Sequence, residues 1–238
     1  MTRASARPPR LYFSFRSPYS WMAIEQLRRG LPDLFGRVLL LPYWDPDELT
    51  AKLVAGHGAE FHYQPMSKAK HLYVLADTKR MAARLGLAMA WPVDIDPWWE
   101  VPHLGWLAAQ RAGQAERCYD ALTAARWNRA ENICDPGVLR RVTTEAGLDG
   151  AALAAAAGAD DIRAEGAQCL IGAYEDDVFG VPYACLGRQR FWGADRMDLF
   201  LEELLAADPH AWQAQPLDGV PAEIPVGSYA RDTAGGCG

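Results

Sequence analysis

Ser17-Pro18-Tyr19-Ser20 stands where a strand-like run, Leu11-Tyr12-Phe13-Ser14-Phe15, gives way to apolar residues at helical spacing, Met22, Ala23 and Leu27. Pro18 suits the first helical position, where a missing N–H costs nothing, and Ser17 suits the N-cap. A helix start also gathers unpaired N–H groups and the positive end of the dipole, which favour an anion. A serine hydroxyl placed there can donate to a thiolate and lower the pKa of a bound thiol. No histidine stands nearby in sequence to act as its base, so Ser17 does not read as a nucleophile. A plain helix cap needs the same residues, and the tetrapeptide leaves both readings open.

Two further segments carry polar chemistry. In Phe179-Gly180-Val181-Pro182 a proline precedes a strand-like run; it is either an ordinary loop proline or a cis turn that exposes the Val181 backbone to an extended peptide. In Phe191-Trp192-Gly193-Ala194-Asp195-Arg196, Asp195 reads as the N-cap of the last helix. Its carboxylate could also meet an ammonium group, and Arg196 a carboxylate. Arg16 adds positive charge beside Ser17. His57, His62 and His71 lack the spacing of a helix-borne metal pair, and no metal site is expected. Trp91, Trp98, Trp99 and Trp106 form either core or an aromatic substrate wall.

The elements that must position these residues follow from periodicity and stop signals. The spacing predicts a strand over 11–15, a helix over 19–29 and a strand over 38–41 closed by Pro42, a strand–helix–strand unit that points to a parallel sheet. Helices follow over 68–85, 99–110, 115–126 and 137–146, the last opened by Asp135-Pro136 and closed by Gly147. Alanine-rich 149–157 and an apolar stripe over 161–177 continue the helical character. Strands return at 183–186 and 190–192 around a Gly187 turn, and a helix spans 196–206. The order is that of an α/β thioredoxin fold with a large all-helical insertion. The expected divisions are 8–62 and 178–212 for the two halves of the fold, 63–177 for the insertion and 213–238 for a tail.

Composition limits the partners. The net charge of −6, with 24 Lys and Arg against 30 Asp and Glu, disfavours the basic face that nucleic acid requires. No stretch approaches the ~18 continuous apolar residues of a membrane span, and the basic start lacks the pattern of a secretion signal. A cytoplasmic protein is expected. Five cysteines, at 118, 134, 169, 185 and 237, form no CxxC pair and read as buried small hydrophobes plus one tail thiol.

Four segments, FSFRSPYSWMA (13–23), SKAKHLYVLADTKRMAARLGL (67–87), ICDPGVLRRVTTEAGLD (133–149) and VFGVPYACLGRQRFWGADRMDLFLEEL (178–204), together resemble one family. It is the glutathione transferase kappa and 2-hydroxychromene-2-carboxylate isomerase group, within the DsbA-like thioredoxin superfamily. The resemblance runs over about residues 11–206, and the last segment is its most specific part. It implies that Ser17 hydrogen-bonds the sulfur of glutathione and that Val181-Pro182 pairs with the tripeptide backbone. It further implies that Asp195 and Arg196 read the γ-glutamyl end, and that Lys70, with Lys68 as rival, meets the glycine carboxylate. Arg16, Tyr19 and Trp192 would face the second substrate. Family members often carry an Asn-containing, Pro-rich stretch before that lysine; here Gly56-His57-Gly58-Ala59-Glu60-Phe61-His62 stands instead.

The resemblance implies a homodimer and two activities compatible with one site, and the divergent 56–62 segment adds a third reading of another class. Glutathione-dependent isomerisation of a conjugated C=C or chromene-type small molecule comes first, by reversible thiolate addition. Conjugation by a glutathione transferase would use the same residues. A non-catalytic module binding a thiol or peptide is the third.

Overall fold

A computed structural model describes residues 7–62 and 66–207. The expected tail, 213–238, and Cys237 lie outside the described residues. Four short strands form one mixed sheet in the order β2-β1-β3-β4. β1 (Arg10–Phe13) is central and pairs in parallel with β2 (Leu39–Pro42) and antiparallel with β3 (Tyr183–Leu186), which forms a hairpin with β4 (Gln189–Trp192). β1 and β2 are buried throughout, Leu11-Tyr12-Phe13 and Leu39–Pro42 being apolar or aromatic and Arg10 the one charged residue among them, whereas β4 is a mostly exposed edge.

The strand–helix–strand unit takes the expected form. α1 (Pro18–Gly30) begins with Pro18 in its first turn, and the Ser17 side chain caps it by accepting the Ser20 N–H. The short α2 (Leu34–Arg37) leads into β2. Between β2 and β3 the chain is helical: α3 (Glu48–Gly56), α4 (Lys68–Arg84), α5 (Glu100–Arg111), α6 (Ala115–Thr123), α7 (Pro136–Glu145), α8 (Gly150–Ala155) and α9 (Asp160–Glu175). α6 runs on into a π turn over Ala124–Asn128. α4 and α7 stop where the sequence predicts, before Gly86 at φ +67° and Gly147 at φ +75°, a backbone region open to glycine at no steric cost. α10 (Met197–Ala206) closes the described chain and packs on α1 and the hairpin.

Two expectations need correction. The helix over Glu48–Gly56, capped by Asp47, goes unread in the sequence. The reason is that its large apolar side chains, Leu49 and Leu53, face outward while Thr50 and Val54 are buried. Asp195 does not cap the last helix. Gly193, at φ +96°, starts a 3-10 turn over Ala194–Arg196 that leads directly into α10, and the Asp195 carboxylate turns to its neighbour Arg196 instead.

The apolar core fills the space between the sheet and the helical segment. Phe13 meets Trp106 edge-on at 5.0 Å, and Phe15 meets His103 at 5.3 Å. α5 is therefore the helix that lies against the end of β1, where the chain turns toward Ser17. None of the described helices is long and apolar enough to cross a membrane.

Candidate active site

The turn from β1 into α1 is a closed knot of hydrogen bonds. Ser17 N–H donates to the Ser14 carbonyl at 3.1 Å, Arg16 N–H to Ser14 Oγ at 3.2 Å, and Ser14 N–H to Ser20 Oγ at 3.2 Å. Ser17 Oγ accepts the Ser20 N–H at 3.1 Å and sends its own proton toward the Val181 carbonyl at 3.4 Å. The last distance is at the outer limit for a hydroxyl donor, so the Ser17 proton is only loosely engaged. Pro18 has no N–H to give, and among the described residues the Tyr19 N–H meets no acceptor. The helix start thus offers one hydroxyl and one amide donor at its positive end.

Val181 and Ser17 are brought together although they lie far apart in the chain. The Val181-Pro182 peptide is cis, as one of the two sequence readings has it. The Pro182 carbonyl accepts the Gly193 N–H at 3.0 Å, which ties this turn to the end of the hairpin. Trp192 is exposed there and packs edge-on against Phe179 at 4.8 Å. Its indole lies across Gly180, where a Cβ would come within 3.0 Å of Nε1.

The other expected site residues are distributed around this centre. Tyr19 is half-buried and donates its hydroxyl to Asp77 on α4 at 2.7 Å. Lys70 is exposed two turns before Asp77, so it lies on the same face of α4, about 10 Å along the axis. Lys68, at the first position of that helix, points elsewhere by the same periodicity. Asp195 and Arg196 pair with each other at 2.6 Å and are both exposed.

Arg16 is exposed and lines a cleft of ≈ 360 Å³ with Trp98 and Trp99 and with three acidic residues, Asp45, Asp47 and Glu100. Its guanidinium stands 6.0 Å from the Trp99 ring centroid. The tryptophan group therefore divides: Trp106 and Trp99 are core, Trp99 at the edge of the cleft that the exposed Trp98 lines, and Trp91 packs edge-on against Trp127 at 6.3 Å. Behind the wall, the buried Arg126 lies 4.9 Å from the Trp99 ring and binds Asp94 through both terminal nitrogens, at 2.9 and 2.8 Å. That pair fastens the 91–98 loop. The divergent 56–62 segment borders an adjoining hollow of ≈ 350 Å³, in which Ala59, Glu60 and Phe61 meet Asp45 and Pro46.

Electrostatics separate the site from the chain's own thiols. Burial pushes Cys118 and Cys134 up to about 12 and Cys185 up to about 11, and raises Cys169 as well. None of these four carries a thiolate near neutral pH. On α4 the Asp77 carboxyl sits below its ordinary 3.8, held there first by the Tyr19 hydroxyl and then by Arg80. A depressed carboxyl stabilises the fold above its unfolded pKa, and that stability is lost as pH falls through the lower folded value. Asp77→Asn should therefore lower the melting temperature most at neutral pH, the gap to wild type closing below about pH 4. Thermal melts at pH 7 and pH 3 that show one constant gap would contradict the Tyr19–Asp77 link.

Sequence reasoning passed over His103, Arg126 and Asp94. A lone histidine on an apolar helix and an arginine paired 32 residues away with an aspartate leave no motif; only the run of tryptophans around them marks the region.

Comparison with known proteins places this geometry. Residues 10–205 match the model of the DSBA-like thioredoxin domain. A 2-hydroxychromene-2-carboxylate isomerase of Sphingobium xenophagum is 31% identical over 197 residues, 82% of this chain and 95% of that protein. A solved structure of 2-hydroxychromene-2-carboxylate isomerase superposes with a TM-score of 0.67 at 21% identity, covering 85% of this chain and 97% of the other. The cytosolic disulfide reductase DsbM of Pseudomonas aeruginosa, solved with GSH, gives a TM-score of 0.51 at 17% identity, over 84% and 99% of the two chains.

Proposed function

The chain belongs to the DsbA-like thioredoxin family, as a relative of 2-hydroxychromene-2-carboxylate isomerase, and on that premise we propose that it is a glutathione-dependent isomerase. Its substrate class is a small planar molecule with a conjugated C=C and a carboxylate or ketone. The observation that carries this reading is Ser17. Its hydroxyl caps α1, holds its proton loosely toward Val181, and is joined through Arg16 to an aromatic-walled cleft.

The residues present fit an anionic sulfur. The Ser17 hydroxyl can leave the long Val181 bond for a stronger, charge-assisted one, and the Tyr19 N–H adds a second donor. The chain's own described thiols are protonated and buried, so a thiolate must be borrowed. Val181 offers its backbone to an extended tripeptide, Asp195 and Arg196 can part to meet its γ-glutamyl end, and Lys70 can meet its glycine carboxylate. Bound glutathione supplies a nucleophilic thiolate whose reversible addition to the C=C lets that bond rotate as a single bond. Arg16 could neutralise the substrate carboxylate or negative charge developing on the substrate oxygen, which would lower the barrier to that charge development. The exposed Trp98, backed by the buried Trp99, can give the conjugated plane a wall, and Trp192 and Tyr19 bound the site on the side of Val181 and α4.

Conjugation would need the same residues, and no observation favours it. A homodimer in the cytoplasm belongs to this proposal as well. The experiment is turnover of a cis-enone acid by the purified protein with and without glutathione, with free thiol counted at the end. The proposal expects geometric isomerisation that requires glutathione and leaves the thiol count unchanged. Turnover without thiol, or thiol consumed in step with substrate, would contradict it.

A further inference from the structure

We propose that His103 is the positioning residue of this site: an uncharged imidazole protonated at Nδ1 that fixes the Ser14–Ser17 turn from inside the core, and so sets where the Ser17 hydroxyl and the Arg16 guanidinium stand. What Ser17 does there rests on the proposed function; the placement itself does not.

The tautomer follows from the partners. Nδ1 lies 2.7 Å from the Trp99 carbonyl, which can only accept, so Nδ1 carries the hydrogen. Nε2 is left with its lone pair, 3.1 Å from the Phe15 N–H, which can only donate. The Ser14 hydroxyl stands 3.3 Å from the same nitrogen. The Trp99 carbonyl and the Phe15 N–H together require this form of the ring, and the Ser14 hydroxyl, which can donate, is compatible with it.

The surroundings hold that form. The imidazole is stacked on Trp44 at 5.1 Å with only 9° between the planes, and Phe15 packs beside it. Gly166 on α9 lets Trp44 lie this close, since a Cβ there would come within 2.9 Å of the indole. Burial disfavours the imidazolium most strongly, the Trp99 carbonyl opposes it, and the Arg126 guanidinium adds to the burial effect, bringing His103 down to about 3. Glu100, the carboxylate on the same helix, is turned to the Asp47 N–H and not to the ring.

The consequence is mechanical. His103 holds Phe15 and Ser14; Ser14 in turn accepts the Arg16 N–H and, through its carbonyl, the Ser17 N–H. Its Nδ1–H holds the backbone of Trp99, whose ring faces Arg16. One side chain thus fixes both the thiol-facing turn and the wall of the cleft. Among the described residues its ring hydrogen-bonds Ser14, Phe15 and Trp99 and not Ser17, so it is placed as a support and not as the base of Ser17.

Two measurements test this. Nitrogen-15 NMR of the intact protein between pH 5 and 8 should show a neutral His103 with its proton on Nδ1 throughout. A proton on Nε2, or titration inside that range, would overturn the proposal, because Nε2 could then not accept the Phe15 N–H. Second, in folded His103→Phe the apparent pKa of the bound glutathione thiol should rise by roughly half a unit or more. The parent's value in the folded variant would overturn the proposal, and should the variant not fold, the tautomer alone decides. The two readings fail separately: a thiol pKa unmoved by Ser17→Ala refutes the function of Ser17, whereas one moved by Ser17→Ala but not by His103→Phe refutes only the role of His103.

Discussion

Replacing Ser17 with alanine should raise the apparent pKa of the glutathione thiol bound to this protein by about one unit, while leaving the tripeptide bound. The effect has a single local source. The hydroxyl sits between the first turn of α1 and the Val181 carbonyl, and a sulfur anion beside it would gain one charge-assisted hydrogen bond. Alanine removes that donor and leaves the helix dipole and the Tyr19 N–H in place, so the thiol should remain more acidic than in free solution. The same substitution removes the cap from the Ser20 N–H, at a cost of about 1 kcal/mol in stability. Ser17→Thr keeps both the cap and the donor and should restore most of the shift. Ultraviolet absorbance of the thiolate, followed across pH, reads all three proteins. An unchanged pKa in Ser17→Ala would reduce Ser17 to a helix cap.

The second large effect is on stability and lies at the opposite end of β1. Asp176, the C-cap of α9, is buried and accepts both the Nε and Nη2 hydrogens of buried Arg10, at 2.7 and 2.8 Å. The Tyr12 hydroxyl donates to it at 2.8 Å, and Arg190 from β4 approaches to 3.4 Å. One carboxylate therefore ties the last helix of the insertion to the central strand and to the hairpin. Asp176→Asn keeps the volume but leaves the Arg10 guanidinium buried without a counter-charge, which should cost about 3–5 kcal/mol. Against a typical total of about 5–15 kcal/mol that is a large share. Urea unfolding with an unchanged slope should show the midpoint shift. A loss below about 1 kcal/mol would mean that water solvates Arg10 or another anion neutralises it.

Local signals made the frame legible in the sequence. Pro18 after Ser17, Asp135 before Pro136, and the glycines at 86 and 147 carry their reason in their own residue types, and each does in the structure what its type implies. The Val181-Pro182 turn is legible only as one of two readings, of which the structure has the cis form. What escaped depends on tertiary context. α3 hides because its larger apolar side chains point outward, so its pattern is inverted relative to a buried helix. Asp195 looks like a cap because aspartate before a helix commonly is one, but the positive φ of Gly193 shifts the helix start and frees the carboxylate to Arg196. His103 and the Arg126–Asp94 pair belong to no spacing rule at all; their partners come from other elements, and only the folded chain brings them together.

The central claim is that glutathione binds with its sulfur at Ser17 and its backbone along Val181. A crystal structure of the protein grown with saturating glutathione tests it most directly. The claim predicts a sulfur within about 3.5 Å of Ser17 Oγ, the tripeptide hydrogen-bonded to the Val181 backbone, and the Asp195–Arg196 pair opened toward the γ-glutamyl end. A tripeptide seated elsewhere, or a sulfur turned away from Ser17, would contradict it.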